Sequence, residues 1–244
     1  MSDRYEATTA RVLTWNLERR RSDSPKAQFA IDHLLAQEPD VIALTEARTT
    51  LPLSQGHSIW SQPPVGSRFG ADERKVQLWS KQPWTAIDRV GADGLDTTRF
   101  VAGTTTTPIG PVRVLGVCIP WHMAQVTSPP APKMRPWELH HRYLEILTPM
   151  LRKLDGPTVI AGDFNQRVPR VKGGNHAAAA ALSTAFSPTA IVTAGTLDGV
   201  VRPGIDHIAI TNDLDASRTW GWSNEVDAVR VSDHDGAGAD IHVR

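Results

Sequence analysis

The sequence predicts a single α+β domain over residues 1–244, in which two sheets pack face to face and the helices lie outside. Many short segments rich in strand-forming residues are separated by clusters of Gly, Pro and Asp. Only two or three segments show helical periodicity, and they do not alternate strictly with the strands. The chain is long enough for one sizeable domain, and no repeat, heptad pattern or long polar linker divides it. We expect residues 1–9 to be a flexible N-terminal segment.

The first half of the chain predicts one helix among six strands. ARVLTWNL (10–17) alternates in polarity and is rich in strand formers, so it predicts the first strand. The helix is predicted over residues 25–40, because Pro25 opens it and Pro39 breaks it. Its larger apolar residues share roughly one face: Phe29, Leu34 and Leu35. The other predicted strands are VIALTEA (41–47), HSIWSQ (57–62), KVQLWSKQ (75–82), RFVAGTTTT (99–107) and the near-continuous apolar run VRVLGVCI (112–119).

The second half predicts two helices and four strands. WELHHRYLEILTPMLRKL (137–154) has apolar side chains at helical spacing, and NHAAAAALSTAF (175–186) is rich in alanine. The predicted strands are TVIAGDF (158–164), TAIVTAGTL (189–197), GIDHIAIT (204–211) and GADIHVR (238–244). The Pro-rich loop at residues 124–137 is too long for a tight connector, and loops of that length are usually functional or disordered.

The composition argues against several classes of protein. The single cysteine, Cys118, rules out an internal disulfide framework and suits a reducing compartment. No apolar run approaches the ~18 residues that cross a bilayer, and the residues after Met1 lack the apolar region of a secretory signal. The 26 basic and 26 acidic residues balance, which weakens a general nucleic-acid-coating role. We therefore expect a cytoplasmic monomer that does not insert into membranes.

Most of the apolar strands end on a specific polar side chain. The set is Asn16, Glu46, His122, Asp163, Asn165, Asp206, Asp233 and His234. Each residue taken singly has another explanation, such as a turn former, a cap, the polar face of an edge strand or a buried core histidine. Strand ends and their loops gather at one edge of packed sheets, however. If these ends converge, they place four carboxylates, two amides and two imidazoles in one pocket.

Such a pocket predicts a divalent cation. Two carboxylates ~4 Å apart repel by about 4 kcal/mol even at an effective dielectric constant near 20. A cluster of them persists only if a cation, protons or imidazolium groups offset the charge. Hard oxygen ligands with no cysteine and few histidines suit Mg²⁺ or Mn²⁺ better than zinc.

The motifs TWN, LTEA, IPWH, GDFN, IDH and SDH, in this order between Arg11 and His234, resemble those of the endonuclease/exonuclease/phosphatase family. That family has the deoxyribonuclease I-like fold and includes nucleases, abasic-site endonucleases, inositol-polyphosphate phosphatases and bacterial sphingomyelinases. The resemblance implies a four-layer α/β/β/α sandwich, with two mixed β-sheets packed face to face and helices outside. Two residues depart from the pattern. Thr45 stands where the family commonly has Gln before the metal-binding Glu, and Trp121 stands where many members have a small or polar residue.

The resemblance also implies a metal site. Glu46 matches the metal-binding glutamate, with Asn16 beside it, and Asp233 resembles a further carboxylate of the metal site. A bound divalent cation lowers the pKa of a bound water or stabilises a leaving oxygen.

The remaining motif residues match catalytic roles in the family. Asp163 would orient or deprotonate the attacking water, and Asn165 would hold a phosphate oxygen. Asp206 would pair with His234 and favour the charged imidazolium. His122 and His234 would donate hydrogen bonds to the phosphoryl oxygens, where negative charge spreads in the transition state.

Basic and aromatic residues near these motifs are candidates for substrate binding: Arg19, Arg99, Trp121, Arg135 and Arg167. The arginines attract an anion larger than one phosphate, or are solvated charges on loops. Trp121, Trp137 and the pair His140–His141 stack on a base or sugar. Alternatively, Trp121 packs in the core and the two histidines are exposed on a helix. Trp220 and Trp222 are better interpreted as packing of a strand.

The sequence therefore predicts a divalent-metal-dependent phosphodiesterase or nuclease, endonuclease or exonuclease, that hydrolyses a nucleic acid or nucleotide by in-line attack of activated water. One alternative keeps the chemistry and changes the substrate: a phosphatase or phosphodiesterase of a small metabolite or lipid headgroup. The other is a non-catalytic binding module. Retention of the motif carboxylates and of both histidines argues against it, because a scaffold needs none of them.

Overall fold

A computed structural model describes residues 8–53, 55–64, 70–126, 134–226 and 229–244. Most of the predicted N-terminal segment and residues 127–133 of the Pro-rich loop therefore lie outside the described residues. The described helices are α1 (Pro25–Leu35), α2 (Glu138–Leu151) and α3 (His176–Ala185). The strands up to residue 118 are β1 (Ala10–Asn16), β2 (Val41–Arg48), β3 (His57–Trp60), β4 (Glu73–Ser80), β5 (Trp84–Asp88), β6 (Phe100–Thr107) and β7 (Gly110–Cys118). The later strands are β8 (Thr158–Asp163), β9 (Thr189–Ile191), β10 (Asp206–Thr211), β11 (Leu214–Trp222), β12 (Glu225–Val226), β13 (Val229–Arg230) and β14 (Gly236–Val243).

The strands form two six-stranded mixed sheets and one small hairpin. Sheet one has the order β11-β14-β1-β2-β4-β3, and sheet two has the order β5-β6-β7-β8-β10-β9. In sheet one β1 runs parallel to β2 and antiparallel to β14. In sheet two β7 runs parallel to β8, and β8 runs antiparallel to β10. Strands β12 and β13 pair only with each other.

Three apolar layers hold the sheets and helices together. The central layer contains side chains of both sheets, such as Val12 and Leu78 from sheet one and Val114 and Ile208 from sheet two. A second layer joins α2 and α3 to the outer face of sheet two, and a third joins α1 to the outer face of sheet one. The order of layers is thus α/β/β/α, and the predicted fold class is confirmed.

Helix α1 begins as predicted but ends at Leu35, whereas the sequence predicted a helix over residues 25–40. The hydroxyl of Ser24 accepts a hydrogen bond from the backbone N–H of Ala27 and caps the helix, and Pro25 follows at the first helical position. The fully buried residues are Ala27, Ala30, Ile31 and Leu34. Phe29 and Leu35, predicted to share a face with Leu34, are only partly buried and pack against the third layer. The buried face of α1 is therefore centred on two alanines, Ile31 and Leu34.

Several strands differ from the prediction because they lie at sheet edges. Strand β5, at the edge of sheet two, exposes Thr85, Ala86 and Ile87 and was not predicted. Strand β9 is confined to Thr189–Ile191, whereas the sequence predicted a strand through residue 197. Strand β11 contains both Trp220 and Trp222, which pack against the third layer as predicted. No helix in the described part of the chain is long and apolar enough to span a bilayer.

Candidate active site

The candidate active site lies where strands of both sheets end at the same edge. Asn16 closes β1 and pairs in register with Thr45, the neighbour of Glu46 in β2. Asp163 closes β8, and Asp206 opens the antiparallel strand β10 directly opposite it. The register of the strands therefore gathers the predicted motif residues from distant parts of the sequence.

Asp163 is the residue that joins the two sheets at the site. It is 3% exposed, and its Oδ1 accepts a hydrogen bond from the backbone N–H of Asn165 at 2.8 Å. Its Oδ2 accepts from Nδ2 of Asn165 at 2.7 Å and from Nδ2 of Asn16, in sheet one, at 3.3 Å. Burial raises the pKa of Asp163 to about 7; the charge of His234 opposes this shift and that of Asp206 adds to it. The GDFN motif is therefore both a turn and part of a buried polar cluster.

Asn165 is held in the left-handed region, with φ of 53°, which Asn tolerates better than most residues. Its Nδ2 donates to the carbonyl of Ile119 at 2.8 Å as well as to Asp163. These two bonds use both hydrogens of the amide. In this conformation the Nδ2 group of Asn165 orients the carboxylate of Asp163. A contact between Asn165 and a phosphate oxygen stays a prediction.

His234 and Asp206 form a buried ion pair beside Asp163. Nδ1 of His234 lies 2.9 Å from Oδ2 of Asp206, whose side chain is 0% exposed. Burial alone lowers the pKa of His234, but the charge and hydrogen bond of Asp206 outweigh it and raise this pKa to about 10. Since Nδ1 is bonded to the carboxylate, the imidazolium has its Nε2–H available for another acceptor.

The residues around His234 explain why the SDH motif has this sequence. The Ser232 hydroxyl donates to the carbonyl of Asn16 at 2.5 Å and accepts from the backbone N–H of His234 at 3.2 Å. The indole N–H of Trp15 donates to the carbonyl of His234 at 2.7 Å. Two residues of the TWN motif thus fix the backbone that carries the histidine.

Glu46 has the opposite electrostatic environment to Asp163. Burial by itself would raise the pKa of Glu46, but the charges of Lys75 and Arg19 outweigh it and lower this pKa to about 2. Lys75 Nζ lies 2.5 Å from Oε1, and Arg19 donates from Nε to Oε2 at 3.1 Å and from Nη2 to Oε1 at 3.0 Å. Glu46 is therefore ionised at neutral pH and paired with two cations.

The donor set at this edge fits a hard divalent cation. One polar atom of each of Asp163, Asp206 and His234 lies within 4.8 Å of the others. As an imidazolium His234 has no lone pair for a metal, so the carboxylates of Asp163 and Asp206 are the candidate ligands here. Oδ1 of Asp206 is buried and has no hydrogen-bond partner among the described residues, so it is available as a ligand. The ionised Glu46 supplies a further carboxylate. The cluster that the structure gathers thus differs from the predicted metal set, Asn16, Glu46 and Asp233, whose roles stay predictions.

Two predicted site residues are exposed to solvent. Asp233 is exposed, with its Oδ1 3.8 Å from Nε2 of His234. His122 is also exposed, and its ring lies between Trp121 and Trp137, at centroid distances of 5.1 and 5.5 Å. Trp121 is 49% exposed, so it does not pack in the core. The structure thus places His122 in an aromatic group beside the long loop.

The candidate substrate-binding arginines are mostly engaged with the protein. Arg19 pairs with Glu46, and Arg167 donates from Nε to the carbonyl of Pro203 at 3.1 Å. Arg99 is largely buried; it donates to the carbonyl of Cys118 at 3.1 Å and pairs with Asp96. Arg135 is exposed, and its backbone N–H is bonded by Glu138 at the start of α2. Their contacts with a substrate stay predictions.

Sequence reasoning missed Lys75 and misplaced His140. Lys75 meets Glu46 because β2 and β4 pair with Thr45 opposite Val76, and only this register could have revealed the contact. His140 was expected to stack on substrate or to lie exposed on its helix; both expectations are wrong, because it is 0% exposed. Its Nδ1 donates to the carbonyl of Pro120, and its Nε2 accepts from the amide of Gln166. Helical spacing could have distinguished it from His141, because His140 lies on one stripe with Tyr143, Leu144, Leu147 and Leu151.

Solved structures with the same fold are numerous and distant in sequence. A humanized D. rerio TDP2 carrying 14 mutations has a TM-score of 0.70 at 11% identity, covering 96% of this chain and 99% of that chain. An AP endonuclease from Archaeoglobus fulgidus has a TM-score of 0.69 at 16% identity, covering 94% of this chain and 98% of that one. A variant of the 3′ phosphatase NExo from Neisseria, bound to product DNA hairpin, has a TM-score of 0.66 at 17% identity, covering 94% and 98%. No curated protein matches the sequence.

The chain is a four-layer sandwich with acids and an imidazolium gathered at one sheet edge. This arrangement fits the phosphoesterases that have this fold. The model of the endonuclease/exonuclease/phosphatase family matches residues 13–234, so the chain belongs to that family. The predicted family is therefore confirmed. Membership supports a metal-dependent phosphoesterase, since the family's hydrolases act on phosphate esters.

Proposed function

We propose that the chain is a divalent-metal-dependent phosphodiesterase or nuclease that hydrolyses a nucleic acid or nucleotide by in-line attack of water. The observation that carries this proposal is the group formed by the buried Asp163 and Asp206 and the partly buried His234, whose polar atoms lie within 4.8 Å of one another. It combines a proton acceptor with a fixed positive donor, and both are needed to transfer a phosphoryl group to water.

Asp163 is the proposed acceptor of the water proton. Its pKa, raised to about 7, suits a base that works near neutral pH. Hydrogen bonds from Asn16 and Asn165 fix the orientation of its carboxylate. A water held by Asp163 is therefore presented in one direction, which favours in-line attack.

His234 is the proposed donor to the phosphoryl group. Its Nδ1–H is held by Asp206, so its Nε2–H remains free to donate to a non-bridging or leaving oxygen. The donor is fixed before the reaction, which is the condition for strong stabilisation of a charged transition state. When bound, a divalent cation would supply Lewis-acid stabilisation of the phosphate charge, and we assign Glu46, Asn16 and Asp233 to hold it.

The aromatic group of Trp121, His122 and Trp137 favours a substrate with a base. It begins two residues after Ile119, whose carbonyl binds Asn165, and Trp121 presents an exposed ring. Stacking of one base on an aromatic side chain contributes ~1–3 kcal/mol. The neighbouring NExo structure holds DNA, which supports the same class of substrate here. Stacking on a base accounts for the exposed ring of Trp121 without insertion into a membrane or contact with a lipid headgroup.

Two substitutions test the chemistry. Asp163→Asn and His234→Ala are each expected to lower Mg²⁺- or Mn²⁺-dependent hydrolysis of bis-p-nitrophenyl phosphate at least ~100-fold, since each removes a proton-transfer or donor group. Asp213→Asn and His57→Ala are matched controls at exposed positions and are expected to keep full activity. EDTA should abolish the activity of the wild-type protein. Undiminished hydrolysis by either site variant, with the fold intact by circular dichroism, would rule out this mechanism.

A panel of substrates tests the class. Supercoiled plasmid, single-stranded DNA, abasic DNA, RNA and nucleotides are compared with inositol phosphates and lipid headgroups, each with Mg²⁺, Mn²⁺ and EDTA. Cleavage of a nucleic acid or nucleotide is expected. Turnover of the headgroups or metabolites alone would assign the alternative phosphatase function.

A further inference from the structure

The carboxylate of Glu46 is already occupied by positive side chains. A carboxylate offers about four lone-pair sites. Arg19 uses one lone-pair site on each carboxylate oxygen of Glu46, and Lys75 uses the second site on Oε1. At most one site, on Oε2, remains for any other partner.

Lys75 is built into this position by the sheet. Thr45 pairs with Val76 and Ala47 pairs with Arg74, which places Glu46 and Lys75 between these two pairs. The side chain of Lys75 is 13% exposed, and its one salt bridge among the described residues is with Glu46. It therefore differs from a solvated surface lysine, whose ammonium would move freely in water.

Arg19 is held less firmly than Lys75. Its side chain is 46% exposed and it follows β1 in a loop, with φ of 55°. A rotation about its side-chain bonds moves the guanidinium into solvent. The side chain of Lys75 projects from within β4. Its ammonium could reach solvent only by leaving its largely buried position.

The recess beside the pair is narrow. It is lined by Arg19, Glu46, Pro64, Glu73, Arg74 and Lys75 and has a volume of about 10 Å³, roughly the room that one water needs. Both lone-pair sites of Oε1 are already used, one by Arg19 and one by Lys75. A metal ion at Oε1 would therefore compete with Lys75 Nζ for that oxygen.

We propose that Lys75 is an intramolecular competitor of the divalent cation at Glu46, so that metal binds Oε1 only when the ammonium leaves it. This inference rests on Glu46 being a metal ligand, as proposed above. It assigns to Lys75 the role of setting the metal affinity, and hence the metal concentration at which the site is loaded. The ammonium also neutralises Glu46 while no cation is bound.

Mn²⁺ binding without substrate tests the proposal, because it is read from the electron paramagnetic resonance signal of free Mn²⁺ and not from activity. Lys75→Met removes the charge and keeps the length of the side chain. We expect it to lower the Kd for Mn²⁺ at least tenfold, which equals about 1.4 kcal/mol. Lys75→Gln is expected to do the same and covers the case in which the methionine variant does not fold.

Two controls separate charge from packing. Lys75→Arg retains the positive charge, and Lys81→Met removes a half-exposed lysine that pairs with Asp40; both are expected to bind Mn²⁺ within about twofold of wild type. Adding Glu46→Gln to Lys75→Met should abolish the tighter binding. Unchanged or weaker Mn²⁺ binding by both uncharged Lys75 variants would overturn the proposal, and so would a tighter binding that survives Glu46→Gln.

The result is distinguishable from failure of the proposed function. Hydrolysis of nucleic acid with no gain in Mn²⁺ affinity would refute the competition and leave the phosphodiesterase intact. A gain in affinity with no hydrolysis of any phosphate ester would support the competition and refute the catalytic proposal.

Discussion

Gly162 shows how one residue of the GDFN motif is fixed by backbone space. Its φ is +139°, and a Cβ at this position would lie 2.0 Å from the carbonyl oxygen of Val117 and 3.3 Å from Cγ2 of Thr45. Val117 is the residue paired with Gly162 across β7 and β8. Any side chain here would push the end of β8 away from β7, and Asp163 would move with it.

Gly162→Ala is therefore expected to destabilise the protein by about 3 kcal/mol or more, because it adds a clash to an unfavourable φ. Urea unfolding followed by tryptophan fluorescence measures this. Gly110→Ala is the matched control: its φ is +98°, but no atom lies within 4 Å of the added Cβ. It should cost about 1 kcal/mol. Equal losses in the two variants would show that the clash with Val117 is relieved at little cost.

Among the secondary-structure elements, a buried chain of hydrogen bonds connects α2, the GDFN loop and β10. Gln166 donates from Nε2 to Nε2 of His140, so the proton of His140 is on Nδ1, which bonds Pro120. His207 donates from Nε2 to the carbonyl of Gln166, and its Nδ1 faces the hydroxyl of Thr193. Both imidazoles are neutral in this arrangement. Gln166 follows Asn165 and His207 follows Asp206, so the chain supports the loop and strand that carry the site.

This network predicts a loss of stability in mild acid. Burial lowers the pKa of His140 from 6.5 to about 4. Below pH 6.5 the unfolded chain therefore binds a proton that the folded chain does not, and the free energy of unfolding falls until about pH 4. His140→Asn keeps a donor near the Nδ1 position and removes the titration. Its unfolding free energy should fall less than that of wild type between pH 6.5 and 4.

His57→Ala, which removes an exposed histidine outside this network, is the control variant. Chemical unfolding at several pH values between 4 and 7 provides the comparison. Parallel curves for wild type and His140→Asn would mean that His140 is not held neutral by its surroundings.

The elements that sequence reasoning identified are those with strong local patterns. Strand β1 alternates in polarity, the apolar run of β2 leads to an acidic residue and β7 is a nearly continuous apolar run, so each could be identified from its own sequence. Strand β5 could not be identified, since an edge strand with exposed residues has no apolar alternation. The motif residues of the candidate site could also be named from the sequence, because they stand at the ends of strands with strong local patterns. Lys75 and His140 could not, because their roles depend on strand register and on packing between elements distant in sequence.

For the whole molecule, the balance of 26 basic and 26 acidic residues extends to the surroundings of the site. Arg19, Arg20 and Arg48 all lie in salt bridges with neighbouring acids. The charges of these three arginines are therefore compensated by acids, whereas Arg135 and Arg167 have no salt bridge among the described residues. Recognition of a polyanion would depend on a few phosphate contacts and on stacking rather than on long-range attraction.

Binding of single-stranded DNA should accordingly depend only weakly on salt. Each phosphate neutralised on a single strand contributes about −0.7 to the slope of log K against log[salt]. With one to three contacts we expect a slope between about −0.7 and −2. Fluorescence anisotropy of labelled DNA with the Asp163→Asn variant, which should not cleave it, measures the slope. A slope of about −5 or steeper would reveal an extended basic surface.

The pairing of β1 with β14 means that the first and last strands of the fold meet beside the site. Asp163, Asn165 and Asp206 all precede residue 210, but His234 comes just before β14. During synthesis the N-terminal part of a chain leaves the ribosome first and can begin to fold first. A nascent chain whose residues from His234 onward are still inside the ribosome therefore carries most of the acids and lacks the imidazolium and the strand that positions it. The site would be complete only after β14 has emerged and paired with β1.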